Sequence, residues 1–179
     1  GGAEKVLPNL LRHLDRSKFE ITVLTFFTDG INRKRLPEDI TYISRKALHF
    51  RGITYLVKFL SADFLFSYLV KRVIPRDDFD VVVAYMHGLP TKVAAGAKEK
   101  RKISWIHGNM MGGYVPPLRK NFLSRQSMSA CLSNMDAFVG VSQVVCNSFK
   151  KYTGISQNVH LIHNTNDVEE INHKASAFS

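Results

Sequence analysis

The chain has 179 residues, 45% of them hydrophobic and 22% charged, an ordinary balance for a folded globular protein that excludes disorder along its whole length. Its formal net charge of +10 favours anionic partners, yet no zinc-finger, basic-zipper or RNA-recognition pattern is present, and nucleic acid is set aside. Two cysteines, Cys131 and Cys146, are too few for a disulfide framework; both sit in apolar helical contexts as expected buried thiols of a reduced compartment.

The pair Gly1-Gly2 opens directly onto an amphipathic segment, with no strand before it and no initiator Met, so the chain reads as one lobe of a larger enzyme. Residues 3–14 place Ala3, Val6, Leu7, Leu10, Leu11 and Leu14 on one helical stripe, with Pro8 expected to bend the helix. A buried strand is predicted over 21–27 and a short one over 41–44. Residues 52–74 are the most apolar stretch. A transmembrane span is countered by Lys58 and Asp63, each costly at a bilayer centre. One or two helices on a sheet are expected there, the alternative being a membrane-surface helix edged by Lys71, Arg72 and Arg76.

From Asp80 the pattern is regular. A strand over 80–86 leads to His87-Gly88 and a helix with Pro90 in its first turn. A strand over 102–106 ends at His107, Gly108 and Asn109, and a Gly/Pro-rich loop over 110–117 is the candidate lid. A helix over 118–134, a strand over 137–141, Ser142 as cap of a helix over 144–152, and a last strand over 158–163 complete the series. Apolar strands alternating with helices predict an α/β fold: a mostly parallel sheet with helices on both faces. Short strand-to-helix loops then put Gly1-Gly2, residues 85–87, residues 107–109 and Ser142 at the carboxyl edge, where open α/β sheets bind ligands.

Several residues carry two readings. Gly1-Gly2 either offers backbone N–H groups to a phosphate at a helix N-terminus or makes a tight turn; there is no G-x-G-x-x-G. His107 either packs at a strand end or works in a cleft, where imidazole can donate or accept near neutral pH. Trp105 is expected to alternate inward into the core, and His160 and His163 to pack or face solvent. No set of His, Cys, Asp and Glu has zinc-like spacing, and no metal ligand is assigned.

Four segments resemble, in order, the N-terminal lobe of a GT-B glycosyltransferase of family 4. Gly1-Gly2-Ala3-Glu4 resembles the family's glycine-rich turn into its first helix. Asp80-Val-Val-Val-Ala-Tyr-Met-His87 resembles its mid-lobe strand, and Ile103-Ser-Trp-Ile-His-Gly108 its strand ending in a histidine. Asp136-Ala-Phe-Val-Gly-Val-Ser142, followed by Asn158-Val-His-Leu-Ile-His-Asn-Thr-Asn-Asp167, resembles the approach to the linker, with Thr165 where the family usually has glycine. The resemblance implies a Rossmann-like three-layer sandwich over 1–167 lacking its first strand, a linker beginning at 168–179, and a donor-binding second lobe outside these residues. It implies retaining transfer of a hexosyl group from a nucleotide-diphosphate sugar, a co-substrate and no cofactor, to a polysaccharide or lipid-linked acceptor. It assigns catalysis to His107, donor phosphate to Gly1 and Gly2, and acceptor contacts to Tyr85, His87, Gly88, Gly108, Asn109 and Ser142. No E-x7-E signature of the second lobe occurs here, so this lobe alone is expected to be inactive. The basic charge and the apolar 52–74 stretch fit a cytoplasmic protein touching anionic membrane at its inner face. A non-catalytic Rossmann-like membrane-docking module and a GT-B sugar-nucleotide epimerase are the alternatives.

Overall fold

The computed structural model describes residues 2–25, 31–44, 79–98, 101–112, 122 and 124–177. They fall into two compact units, Gly1–Lys46 with Asn164–Ser179, and Ala47–His163. The apolar stretch 52–74 and most of the candidate lid lie outside the described residues.

In the first unit, α1 (Gly2–Arg12) precedes β1 (Thr22–Thr25), a 3-10 turn (Ile31–Arg35) and β2 (Thr41–Ser44). The strands pair in parallel from Thr22↔Thr41 to Thr25↔Ser44. Pro8 lies inside α1 and is buried with Asn9 and Leu11, so the buried stripe includes two residues that hydrophobic periodicity leaves out. Arg16 closes the end of α1 by donating to the carbonyls of Leu11 and Leu14, both at 2.8 Å, while its Nε meets the Asp39 carboxylate. That guanidinium holds the exposed Asp39 carboxyl below the usual carboxylate range. A further helix, α5 (Val168–Ser176), occupies the stretch read as linker, with Val168 and Ile171 exposed.

The second unit is a four-stranded sheet in the order β3 (Val81–Ala84), β4 (Arg101–Ile106), β5 (Ala137–Gly140) and β6 (Val159–Leu161), every pair parallel. The connecting helices are α2 (Leu89–Ala95), α3 (Arg125–Leu132) and α4 (Gln143–Thr153). The Rossmann-like α/β class read from the sequence is the class observed. The register Ala84↔Ser104↔Phe138 puts these three residues on one face of the sheet, two positions before Ile106 and Gly140 on the same face. That face meets Ala94, Ala95, Met128, Leu132, Val145 and Phe149 from the helices, with Met110 and Phe122, in one buried cluster. The Phe138 and Phe149 rings lie 4.7 Å apart and tilted. The polar groups within it are matched: Thr91 and Ser104 share a buried hydrogen bond of 2.9 Å.

Local chemistry sets the element ends. Ser142 caps α4, its hydroxyl accepting from Val145 N, and Gly154 closes that helix in the left-handed conformation at φ 80°. Helix α3 begins at Arg125, after Ser124 and Ser127 form a reciprocal capping box; most of the segment 118–123, where the helix was expected to start, lies outside the described residues. Asp136 accepts from Lys102 N at 2.7 Å, and Asn158 donates to the Asp136 carbonyl at 3.1 Å, tying the amino ends of β4, β5 and β6 together. Cys146 is buried and Cys131 half-buried, both free; burial pushes the Cys131 thiol up to about 12. Among the described residues no helix is long and apolar enough to cross a membrane.

At Gly140 β5 passes so close to α4 that an added methyl would sit 2.5 Å from Cys146 Sγ and 3.1 Å from Cys146 N. Gly140→Ala is expected to destabilise the protein by about 1–3 kcal/mol, the usual range for overpacking. Adding Cys146→Ala should restore only part of the loss, because the backbone nitrogen stays. Thermal melts of the three chains by circular dichroism check both statements.

Candidate functional site

Strand parity builds the site. Ser104 and Ile106 point into the core and are almost fully buried, so Trp105 and His107 belong to the opposite face. Ala84 is likewise in the core, which leaves Tyr85 beside Trp105 across the β3–β4 pair. Trp105, expected in the core, is half-buried and lies with Tyr85 and His107 on the face opposite the described helical cluster.

Three rings meet at these strand ends. The Tyr85 and His107 centroids are 4.7 Å apart with planes inclined by 58°. Tyr85 and Trp105 are 5.5 Å apart at 55°, and Trp105 and His107 are 6.4 Å apart and within 16° of parallel. His87 comes from the turn after β3 and lies against Gly108. A methyl added to Gly108 would stand 3.3 Å from His87 Cε1 and 3.7 Å from Nε2, so glycine leaves the second imidazole its place. Gly88 then turns the chain into α2 at φ 94° and ψ −122°, a conformation open in practice to glycine, and Pro90 falls in the first turn as expected.

The cluster is rich in buried polar atoms without protein partners. Among the described residues, Tyr85 Oη, Trp105 Nε1, His87 Nδ1 and both ring nitrogens of His107 are buried and make no hydrogen bond. Such atoms ordinarily find a partner in protein, water or ligand. Burial alone lowers the pKa of His87. For His107 burial is again the largest cause, the neighbouring His87 adds to it, and the backbone of Tyr85 works the other way without reaching a ring nitrogen in hydrogen-bond geometry. Burial pushes the Tyr85 phenol up to about 12. All three groups are thus held in their uncharged forms at neutral pH.

The remaining candidates divide. Gly88 and Gly108 belong to the cluster through His87. Asn109 is exposed, and its side-chain oxygen accepts from Met111 N at 2.8 Å. Ser142 stands at the carboxyl end of β5 with its hydroxyl engaged as a helix cap at 3.2 Å. Gly2 begins α1 in the other unit, with open space around it, and Gly1 lies outside the described residues. His160 and His163 are exposed, and His163 Nδ1 lies 3.2 Å from the Val141 carbonyl. Trp105 is the site residue that sequence reasoning missed. The signal was available: two positions apart on an extended chain, Trp105 and His107 share a face, so a cleft role for one carries the other with it. No group of three or more metal-ligating side chains occurs among the described residues.

The depressed imidazoles have a signed consequence. An unfolded chain takes up protons at both histidines near the ordinary imidazole value of 6.5, whereas the folded chain resists until a lower pH. Their contribution to stability is complete above pH 6.5, falls as pH drops through that value, and levels off below the folded midpoints. Imidazole NMR titration should place both midpoints below 6.5, and His87→Gln should move the His107 midpoint upward.

The family model described as Glycosyltransferase Family 4 matches residues 1–170. No curated protein matches the chain.

Proposed function

Since the chain belongs to Glycosyltransferase Family 4, and so is a glycosyltransferase domain, we propose that it is the acceptor-side lobe of a retaining enzyme that moves a hexosyl group from a nucleotide-diphosphate sugar to a polysaccharide or lipid-linked acceptor. One observation carries the reading. His107, Tyr85, His87 and Gly108 come together at the carboxyl ends of two adjacent parallel strands, and the three side chains hold buried polar atoms without protein partners.

In this mechanism the bond from the anomeric carbon to the donor diphosphate breaks, the diphosphate leaves as an anion, and positive charge builds on the sugar ring. The acceptor hydroxyl then bonds to that carbon from the side the diphosphate leaves and gives its proton to the departing diphosphate oxygen. A neutral His107 is suited to hydrogen-bond the sugar beside the reacting carbon. Its interaction counts for catalysis to the extent that it strengthens as charge develops. Tyr85 and His87 would orient the acceptor, which turns an encounter of two molecules into a reaction within one complex. The net charge of +10 favours association with an anionic carrier in general. Gly1-Gly2 keeps its proposed role at the donor phosphate, where a helix N-terminus favours an anion by about 0.3–1 kcal/mol.

In the intact enzyme His107→Ala is expected to lower kcat about a hundredfold or more, the scale for removing one transition-state hydrogen-bond donor, with little change in Tm. His107→Gln should recover part of the rate. Unchanged turnover with a collapsed Tm would make His107 a packing residue only. NMR of the product should show the donor's anomeric configuration; the opposite anomer would remove the retaining assignment.

A further inference from the structure

A working imidazole needs the plane of its ring fixed as well as its place. We propose that Trp105 is a positioning residue for the transfer reaction: together with Tyr85 it locks the ring plane of His107. The inference rests on the reading of His107 as the residue beside the reacting carbon, and names what holds that residue there.

An imidazole at a strand end turns about its outer side-chain torsion, which is broad and lacks the three staggered wells of an aliphatic chain. A misplacement of about 1 Å is enough to cost about a hundredfold in rate, so the torsion must be held from outside. Two rings do this. The Tyr85 ring lies 4.7 Å from His107 and inclined by 58°, a tilted contact that opposes rotation of the imidazole. The Trp105 ring lies 6.4 Å from His107 and within 16° of parallel, so the two planes run together along β4. Trp105 and Tyr85 are themselves 5.5 Å apart at 55°, which closes the triangle. All three separations fall in the range of about 4.5–7 Å over which aromatic pairs attract.

Trp105 is in turn anchored on both sides. On β5 it stands opposite Val139, which is buried, and on the other side it neighbours Tyr85, one position past the Ala84↔Ser104 pair. Its two-position offset from His107 puts both side chains on one face of β4. A large ring with only two torsions carries the position of the sheet to the imidazole at low cost in side-chain entropy. Packing of this kind also fixes a ring without spending either of its nitrogens, as a hydrogen bond from a carbonyl or carboxylate would.

Trp105 is the only tryptophan of the 179-residue chain, and a nearby protonated imidazole quenches indole emission. Emission of the chain should therefore fall as pH drops below 6.5, with the midpoint that NMR gives for His107. His107→Gln should abolish that change. In the intact enzyme Trp105→Leu keeps apolar bulk and loses the ring plane. It should lower kcat about tenfold and leave KM within about twofold. Trp105→Phe returns a ring and should recover most of the rate. In a His107→Gln background Trp105→Leu should cost less than about twofold, because the group it positions is gone. Equal losses in the two backgrounds, no recovery by Trp105→Phe, or emission indifferent to His107→Gln would overturn the assignment. If Trp105→Leu does not fold, Trp105→Phe runs through the same cycle: a smaller loss that vanishes with His107→Gln supports the role, and an equal loss removes it. If His107→Gln lowers kcat and Trp105→Leu does not, the positioning role falls and the transferase reading stands. If His107→Gln itself leaves kcat unchanged, the reading of His107 falls and takes the positioning role with it.

Discussion

The parallel register of β3 against β4 is the constraint from which the rest follows. Ala84 opposite Ser104 commits both to the helical core, and with them Ile106. A slip of one residue would bury His107 and Trp105 among aliphatic side chains and turn Ser104 and Ile106 outward. On the other side of β4 the sheet is tied at both ends. Asp136 and Asn158 tie the amino ends of β4, β5 and β6, and the tight contact of Gly140 with Cys146 seats α4 against β5. Rigid strands pinned in this way present side chains more accurately than a loop could.

Much of this was legible in the sequence, for reasons that differ by element. Residues 41–44 and the strands near 81–84, 101–106 and 137–140 are short apolar runs with polar flanks, and they lie where patterning puts them. Ser142 as a cap and Pro90 in a first turn could be recognised because their chemistry is local. The cap that opens α3 was not read, since the Ser124–Ser127 capping box uses serine where glutamate or glutamine is the familiar partner. In α1, burial of Asn9 beside Leu11 departs from the apolar stripe, because packing and not hydropathy decides which residues of a short helix are covered.

Of the candidate site, the placement of the two histidines and Tyr85 after strands was legible, and the family order suggested the roles proposed for them. Trp105 was not, because an aromatic residue in a strand reads as core by default. Charge state was not legible at all. Neutral imidazoles are a product of burial and, at His107, of the neighbouring His87, 20 positions away in sequence and brought close through the β3–β4 pairing. The roles first given to Asn109 and Ser142 have competition, since each already spends a side-chain oxygen on a local backbone N–H.

The backbone at Gly88 has a consequence for how this domain can vary. Its φ of 94° and ψ of −122° reverse the chain between an imidazole and the first residue of α2, within one position and without a capping side chain. With one glycine between them, the start of α2 and the place of His87 are set by a single backbone geometry. A residue with a side chain at position 88 would have to abandon that geometry, and the change would reach the imidazole and the helix together.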